Sequence, residues 1–194
     1  MKRVILSIGL LLTVCASVWA QEAKHEVSVQ GSGLFTKETS DLGITNKPTH
    51  SGGFLVGYRF NVNKWLGVEA DYDYFRNSQK YITSTDIARL KTNVHAVTGT
   101  AVLKLPTSGL WRPYALVGGG TLTFDPRDTG GVNSQTKGAF VYGGGVDVAV
   151  LKHVALRGQY RGFVYKVPDF DVSSLSTDKY THSAVPSVGL AFTF

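Results

Sequence analysis

The last nine residues of this 194-residue chain, Pro186 to Phe194, alternate between apolar side chains and small or polar ones. Successive side chains of a β-strand point to opposite faces, so the apolar residues share one face of a predicted strand. These residues are Val188, Leu190, Phe192 and Phe194. The other face carries side chains that tolerate water. The segment therefore predicts a strand with one face towards lipid, because a soluble domain seldom ends on an aromatic residue whose terminal carboxylate would have to enter its core.

Seven further segments alternate in the same way, and a tilted transmembrane strand needs roughly 9 to 11 residues. The eight predicted strands lie at about 25–36, 51–61, 65–76, 91–104, 112–124, 138–150, 154–166 and 183–194. Long and short connections alternate between them. This arrangement predicts an all-β fold, an eight-stranded antiparallel up-and-down transmembrane β-barrel formed by residues 21–194.

The long connections predict which end of the barrel faces the cell exterior. They are about 37–50, 77–90, 125–137 and 167–182, and they are rich in Ser, Thr, Asp, Asn, Lys and Gly, which is a loop composition. The short connections, 61–64, 106–111 and 151–153, are expected on the periplasmic side.

The N-terminal segment 1–20 has the pattern of a secretory signal peptide. Basic Lys2 and Arg3 precede an apolar run, and Val18-Trp19-Ala20 resembles a cleavage site. The run is too short for a membrane-spanning helix. The single cysteine, Cys15, lies inside the signal, so no disulfide is expected after cleavage. A lipoprotein cleavage before Cys15 is disfavoured, because Val14 stands where a small residue is wanted.

Charged residues alternate with apolar ones in the third and seventh predicted strands. A charge that faces a barrel lumen needs a partner of opposite sign, since an unpaired charge in a low-dielectric interior is costly. Both signs are available on the predicted inner faces. The predicted lumen charge network is Glu69, Asp71, Asp147, Arg157 and Arg161, and Glu26 and Arg59 are also expected to turn inward.

Aromatic residues near the ends of the predicted strands suit the interfacial girdles of a membrane barrel. They include Tyr58, Phe60, Trp65, Tyr72, Tyr74, Trp111, Tyr114, Phe124, Phe192 and Phe194.

Several stretches resemble the small outer-membrane β-barrel family, which includes the OmpA transmembrane domain and OmpX. They are the terminal Val188-x-Leu190-x-Phe192-x-Phe194, Trp111-Arg112-Pro113-Tyr114 with Gly118-Gly119-Gly120, Gly143-Gly144-Gly145-Val146-Asp147, and Arg157-Gly158-Gln159-Tyr160-Arg161. The resemblance implies an integral protein of the cell outer membrane whose lumen is plugged by ion pairs. It also implies that the terminal motif is read by the barrel assembly machinery after delivery by periplasmic chaperones.

The favoured function is a structural or surface-interaction role with a side-chain-plugged lumen. The alternatives are a narrow channel, in which ion-pair exchange opens a path, and a carrier of small hydrophobic molecules. A lipid A-modifying enzyme is a weaker alternative, suggested by Thr49-His50-Ser51 and Thr181-His182-Ser183 near the outer rim. Histidine and serine are common in loops, so we expect no catalytic residues and no enzymatic activity.

The sequence lacks the motifs that would predict a metal, a cofactor or a nucleic acid as a ligand. The five histidines show no paired metal-ligand spacing, and no phosphate-binding or dinucleotide fingerprint is present, so no metal or cofactor is expected. The excess of basic residues is spread along the chain, which disfavours nucleic acid. Basic residues in the long loops suit lipopolysaccharide phosphates and outer-membrane lipids. The barrel is expected to be a monomer.

We predict that deleting Phe194, or the substitution Phe194→Asp, reduces insertion into the outer membrane, because the terminal aromatic row is the proposed assembly signal. The measurement is the amount of heat-modifiable protein on an unboiled gel of outer-membrane fractions. Equal amounts of folded barrel in wild type and variants would contradict the prediction.

Overall fold

The computed structural model describes residues 24–36, 39–41, 44–48, 51–82, 87–105, 107, 109–126, 134–166 and 180–194. The predicted signal peptide, residues 1–20, lies outside this described part and remains a prediction. Within the described residues, no helix combines the length and the apolar character needed to span a bilayer.

The described residues form ten β-strands. In chain order they are β1 (His25–Thr36), β2 (Thr39–Asp41), β3 (Ile44–Pro48), β4 (Ser51–Asn61), β5 (Leu66–Ile82), β6 (Ile87–Lys104), β7 (Trp111–Pro126), β8 (Gln135–Leu151), β9 (Val154–Lys166) and β10 (Tyr180–Thr193). Eight of them form the barrel wall, and β2 and β3 form a short hairpin beside β5.

The wall is a closed ring of antiparallel neighbours. Its order is β1, β4, β5, β6, β7, β8, β9 and β10, and β10 pairs back onto β1. At the seam, the amide of His25 donates to the carbonyl of Phe194 at 3.1 Å, and the amide of Phe194 donates to the carbonyl of His25 at 2.9 Å. Closure leaves the ring without a free edge. The predicted eight-stranded barrel is confirmed.

The two faces of β10 are placed as the alternation predicts. Val188, Leu190 and Phe192 point outward and expose 60%, 43% and 42% of their surface. Ser187 and Ala191 point inward and are buried. The outer surface is therefore an apolar band, whereas the lumen carries polar and small side chains in this strand.

Short connections lie together at one end of the barrel, which we call the lower end. The turn between β4 and β5 shows why they stay short. The Asn63 side-chain oxygen accepts hydrogen bonds from the amides of Trp65 and Leu66, both at 2.8 Å. An asparagine that caps its own turn in this way reverses the chain within a few residues. The long connections leave from the opposite, upper end.

Several strand limits differ from those predicted. β5 continues to Ile82 and β6 begins at Ile87, so most of the predicted loop 77–90 is strand. β2 and β3 occupy part of the predicted loop 37–50, and β3 pairs with the upper end of β5. The prediction was wrong here because it took polar composition as a loop signal. Backbone pairing does not require an apolar face once a strand has passed beyond lipid.

Two aromatic residues of the predicted girdles lie in the lumen instead. Tyr114 and Phe124 are 5% and 3% exposed and point inward from β7. Trp65 and Trp111, at the lower end, are more than half exposed on the outer face. The girdle prediction was therefore wrong for Tyr114 and Phe124, because the inward face of β7 is at least as apolar as its outward face and its alternation does not reveal the facing.

Glycine allows close packing in the curved part of β7. A Cβ atom on Gly118, which points inward, would overlap the carbonyl oxygen of Gly99 and lie 2.7 Å from the Thr100 Cα. Both obstacles are backbone atoms of the neighbouring β6, so a side chain cannot be accommodated by a rotamer change. Gly99 points outward, and a Cβ atom there would meet no described atom within 4 Å.

We predict that Gly118→Ala lowers the free energy of unfolding by about 1–3 kcal/mol, the usual cost of overpacking. The matched control is Gly99→Ala in the adjacent strand, which should change stability little. Urea-induced unfolding in lipid vesicles, followed by tryptophan fluorescence, measures both variants. Equal stabilities of the two variants would contradict this account of Gly118.

Candidate functional site in the barrel lumen

A layer of buried charges fills the lower half of the lumen. The structure brings together Glu69, Asp71, Asp147, Arg157 and Arg161, the residues of the predicted network, and adds Glu26, Arg59, Asp73 and Lys104. Among the described lumen residues, this layer has five carboxylates and four cations. The guanidinium groups are 0–1% exposed, so nearly all their polar contacts are with the protein.

Arg157 is the centre of the lower part of this network. Its Nε and Nη2 atoms donate to the two carboxylate oxygens of Asp147, both at 2.7 Å. The Nη2 atom also donates to Glu26 at 2.7 Å. Lys104 reaches the other oxygen of Glu26 at 2.7 Å. A two-point guanidinium–carboxylate contact fixes direction as well as distance, and therefore holds β8 and β9 in register.

Arg161 organises the upper part of the network. Its Nη2 atom lies 2.6 Å from carboxylate oxygens of both Glu69 and Asp71, and its Nη1 atom lies 3.8 Å from Asp73. The Nη1 atom also donates to the Thr98 hydroxyl at 3.1 Å. A single guanidinium thus faces three carboxylates of β5.

Some of these contacts join strands on opposite sides of the barrel. β5 and β9 are four places apart in the eight-stranded ring, yet Arg161 and Glu69 approach to 2.6 Å. β4 and β8 are also opposite, and Arg59 lies 3.5 Å from Asp147. Side chains from facing walls therefore meet in the middle. An eight-stranded barrel has an interior just wide enough for side chains to fill, which makes this possible.

Tyr114 forms one wall of the charged layer. The Arg59 guanidinium carbon lies 4.2 Å from the centre of the Tyr114 ring, and the Arg157 guanidinium carbon lies 5.5 Å from it. The Tyr114 hydroxyl donates to the Gln159 side chain at 2.6 Å. The ring face attracts both cations. Tyr114 is therefore a component of the network that the girdle interpretation missed.

The residues that join the predicted network had unequal signals in the sequence. Glu26, Arg59 and Asp73 are in phase with inward positions of their strands, and the alternation predicts their inward facing. Lys104 stands at the end of β6, and nothing in its local pattern distinguishes it from a surface lysine. Only the fold shows that its amine reaches Glu26 in β1.

Above the charged layer, most of the described lumen side chains are apolar. Phe75 and Phe163 follow the charged residues of β5 and β9 by two positions each, and both are 1% exposed. The layer belongs to a buried cluster that includes Leu34, Phe75, Val94, Leu122, Phe124, Val141, Phe163, Tyr165 and Val185. Two layers of opposite character are therefore stacked along the barrel axis.

The histidine and serine residues near the upper rim point in different directions. His182 faces outward, where its Nε2 atom lies 2.9 Å from the Tyr142 hydroxyl. Ser183 faces inward and lies 3.0 Å from the Tyr165 hydroxyl. Ser51 is also buried. His50 lies outside the described residues. Adjacent side chains on opposite faces of a strand cannot form a nucleophile–base pair.

With this geometry established, comparisons with known proteins identify the family. The family model described as "Outer membrane protein beta-barrel domain" matches residues 6–194, nearly the whole chain. The chain belongs to this outer-membrane β-barrel family.

A curated relative is outer membrane protein A of Escherichia coli O157:H7, which is 28% identical over 168 residues. The match covers 83% of this chain and 47% of the relative, so this chain spans about half of that protein's length.

Solved structures share the fold of this outer-membrane barrel. OprG of Pseudomonas aeruginosa superposes with a TM-score of 0.69 at 11% identity, covering 90% of this chain and 97% of OprG. Ail, the attachment invasion locus protein of Yersinia pestis, solved with the heparin analogue sucrose octasulfate, superposes with a TM-score of 0.57 at 19% identity. That match covers 90% of this chain and 100% of Ail.

We predict that Arg161→Met lowers the free energy of unfolding by about 3–5 kcal/mol, because it leaves buried Asp71 and Asp73 without their guanidinium partner. Adding Asp71→Asn and Asp73→Asn to Arg161→Met should recover part of the loss, since these changes remove the two stranded charges. Urea-induced unfolding in lipid vesicles measures all variants. No recovery in the triple variant would indicate that Arg161 acts through its volume and not its charge.

Proposed function

We propose that this outer-membrane barrel is a structural and surface-interaction protein whose lumen is closed to water and ions. The observation that carries the proposal is the contact between facing walls, where Arg161 of β9 lies 2.6 Å from Glu69 of β5. Buried ion pairs are commonly structural, and removing one partner from such a pair is strongly destabilising. The network is thus suited to hold the walls at a fixed separation.

The apolar layer supports the same proposal through a different mechanism. An ion that passed the charged layer would next meet Phe75, Val94 and Phe163, which are at most 1% exposed. Transfer of an ion into an apolar layer without polar partners is costly. The lumen therefore has two barriers in series, and rearranging the ion pairs removes only one of them.

A closed lumen directs attention to the upper end as the functional surface. Loops on a rigid scaffold commonly carry binding, since they vary without disturbing the strands. Arg76 and Lys166 are exposed near that end, where basic side chains suit the phosphates of lipopolysaccharide. Ail, which shares this fold, was solved with a sulfated heparin analogue, which supports a surface role for this barrel architecture.

The proposal includes how the protein reaches its site. The exposed outward row of β10, Val188, Leu190 and Phe192 with Phe194 beyond it, supplies the signal for the barrel assembly machinery after passage with periplasmic chaperones. We infer a monomer in the outer membrane, because one chain closes its own ring. We infer no catalytic role, since His182 and Ser183 lie on opposite faces of β10.

A narrow channel is the second candidate, and one detail of the network favours it. The Arg59 Nη1 atom lies 3.5 Å from both Glu26 and Asp147, and the Arg157 Nη1 atom lies 3.6 Å from Glu69. These guanidinium groups therefore have alternative partners within a short distance. Exchange between such partners is the movement by which the network would open a path.

We predict that the refolded barrel shows no discrete single-channel openings in a planar bilayer. The variants Arg157→Ala and Glu69→Ala should also be silent, because the apolar layer remains in place. Each variant is first shown to be folded by its heat-shifted gel mobility. Openings in wild type that change in conductance when either charge is removed would overturn the sealed scaffold and establish the channel.

A further inference from the structure

A groove crosses the outer surface where β4, β1 and β10 lie side by side. Its volume is about 520 Å³, within the range of roughly 300–1,000 Å³ typical of ligand pockets. Its described lining consists of glycine, serine, proline and apolar side chains. The outward-facing residues of this lining are Gly31, Gly33, Phe35, Gly52, Pro186 and Val188.

The groove coincides with an interruption in the seam of the barrel. β1 and β10 pair continuously from Glu26 and Thr193 to Ser32 and Ser187, and the pairing resumes at Phe35 and Ala184. Two pairs of positions are skipped, Gly33 with Pro186 and Leu34 with Val185. Proline has no amide hydrogen to donate, and glycine has no side chain to fill the outer surface. Together they produce a notch in a wall that is otherwise covered by apolar side chains.

We propose that this groove binds one acyl chain of a membrane lipid from the leaflet at the upper end of the barrel. The groove opens onto the lipid-facing band, beside outward-facing Val29, Phe54 and Val56, which are 40–51% exposed. Gly31 to Phe35 form the half of β1 nearer the long connections, which fixes the leaflet. In hydrocarbon, association depends on van der Waals packing, and a groove contacts a chain on more than one side.

Water and a second copy of the protein are poorer occupants. An ordered water needs two to four polar partners, whereas this lining is mainly apolar. A two-fold dimer brings the same patch of both copies together, so a concave patch would face a concave patch and enclose a void. A single acyl chain is long and narrow and can bend, so it fits a single concave surface.

The test uses photo-crosslinking from the lipid. The barrel is refolded in phosphatidylglycerol vesicles that contain a small fraction of phosphatidylglycerol with a diazirine in its acyl chain, and the labelled residues are mapped by mass spectrometry. Gly52→Leu fills the groove, because a Cβ atom there meets no described atom within 4 Å. Gly99→Leu is the matched control, an outward-facing glycine with the same open surroundings in β6.

We expect labelling to be concentrated on the groove residues of β1 and β10 in wild type and in Gly99→Leu. In Gly52→Leu it should fall to the level of other lipid-facing residues. Heat-shifted mobility shows that each variant is folded, and Gly31→Leu replaces Gly52→Leu if the latter does not fold. Even labelling around the barrel, or groove labelling that persists in the filled variant, would overturn the proposal. A wild-type dimer on an unboiled gel that Gly52→Leu abolishes would also overturn it and assign the groove to a second copy.

Discussion

Backbone pairing around a complete ring is the constraint on which the rest of this structure depends. Hydrocarbon offers no hydrogen-bonding partners, so a strand in a membrane must satisfy its amides and carbonyls with its neighbours. The paired backbones of His25 and Phe194 close the ring at its lower end. Once eight strands close, the radius is fixed, and the lumen must be filled by inward side chains. Within this radius, Gly118 leaves room for the neighbouring backbone, the Tyr114 ring forms a wall of the charged layer, and Arg161 reaches the facing side of the barrel.

The lumen has two layers with different roles, and the layers are stacked along the barrel axis. The lower layer satisfies charges through ion pairs and the Tyr114 ring, and it fixes the relative positions of facing walls. The upper layer, which includes Phe75 and Phe163, contains side chains that exclude water. In the proposed sealed scaffold, the apolar layer keeps water from competing for the guanidinium groups from above. This division would let charged residues contribute to a closed interior and not to an aqueous pore.

Alternation in the sequence predicted the ring, the facing of most strands and the core of the charge network. It succeeded where one face is charged and the other is apolar, as for Glu69 and Asp71 in β5. It failed for Tyr114, because the inward face of β7 is at least as apolar as its outward face, and for Lys104, whose partner lies in a distant strand. Strand ends beyond the lipid band were also missed, because polar residues there conceal continued pairing. The groove at Pro186 forms where three strands lie side by side, and no local sequence pattern shows which strands become neighbours.

The separation of network partners along the chain has a consequence for the order of events as the protein folds. Arg157 and Glu26 are 131 residues apart, and Arg161 and Glu69 are 92 apart. Until β9 arrives, the carboxylates of β1 and β5 lack these guanidinium groups. An incomplete sheet would therefore leave Asp71 and Asp73 without the guanidinium of Arg161 and in need of water. The last strands supply both the missing hydrogen bonds and the missing positive charge, so a barrel that lacks them has no stable halfway state in lipid.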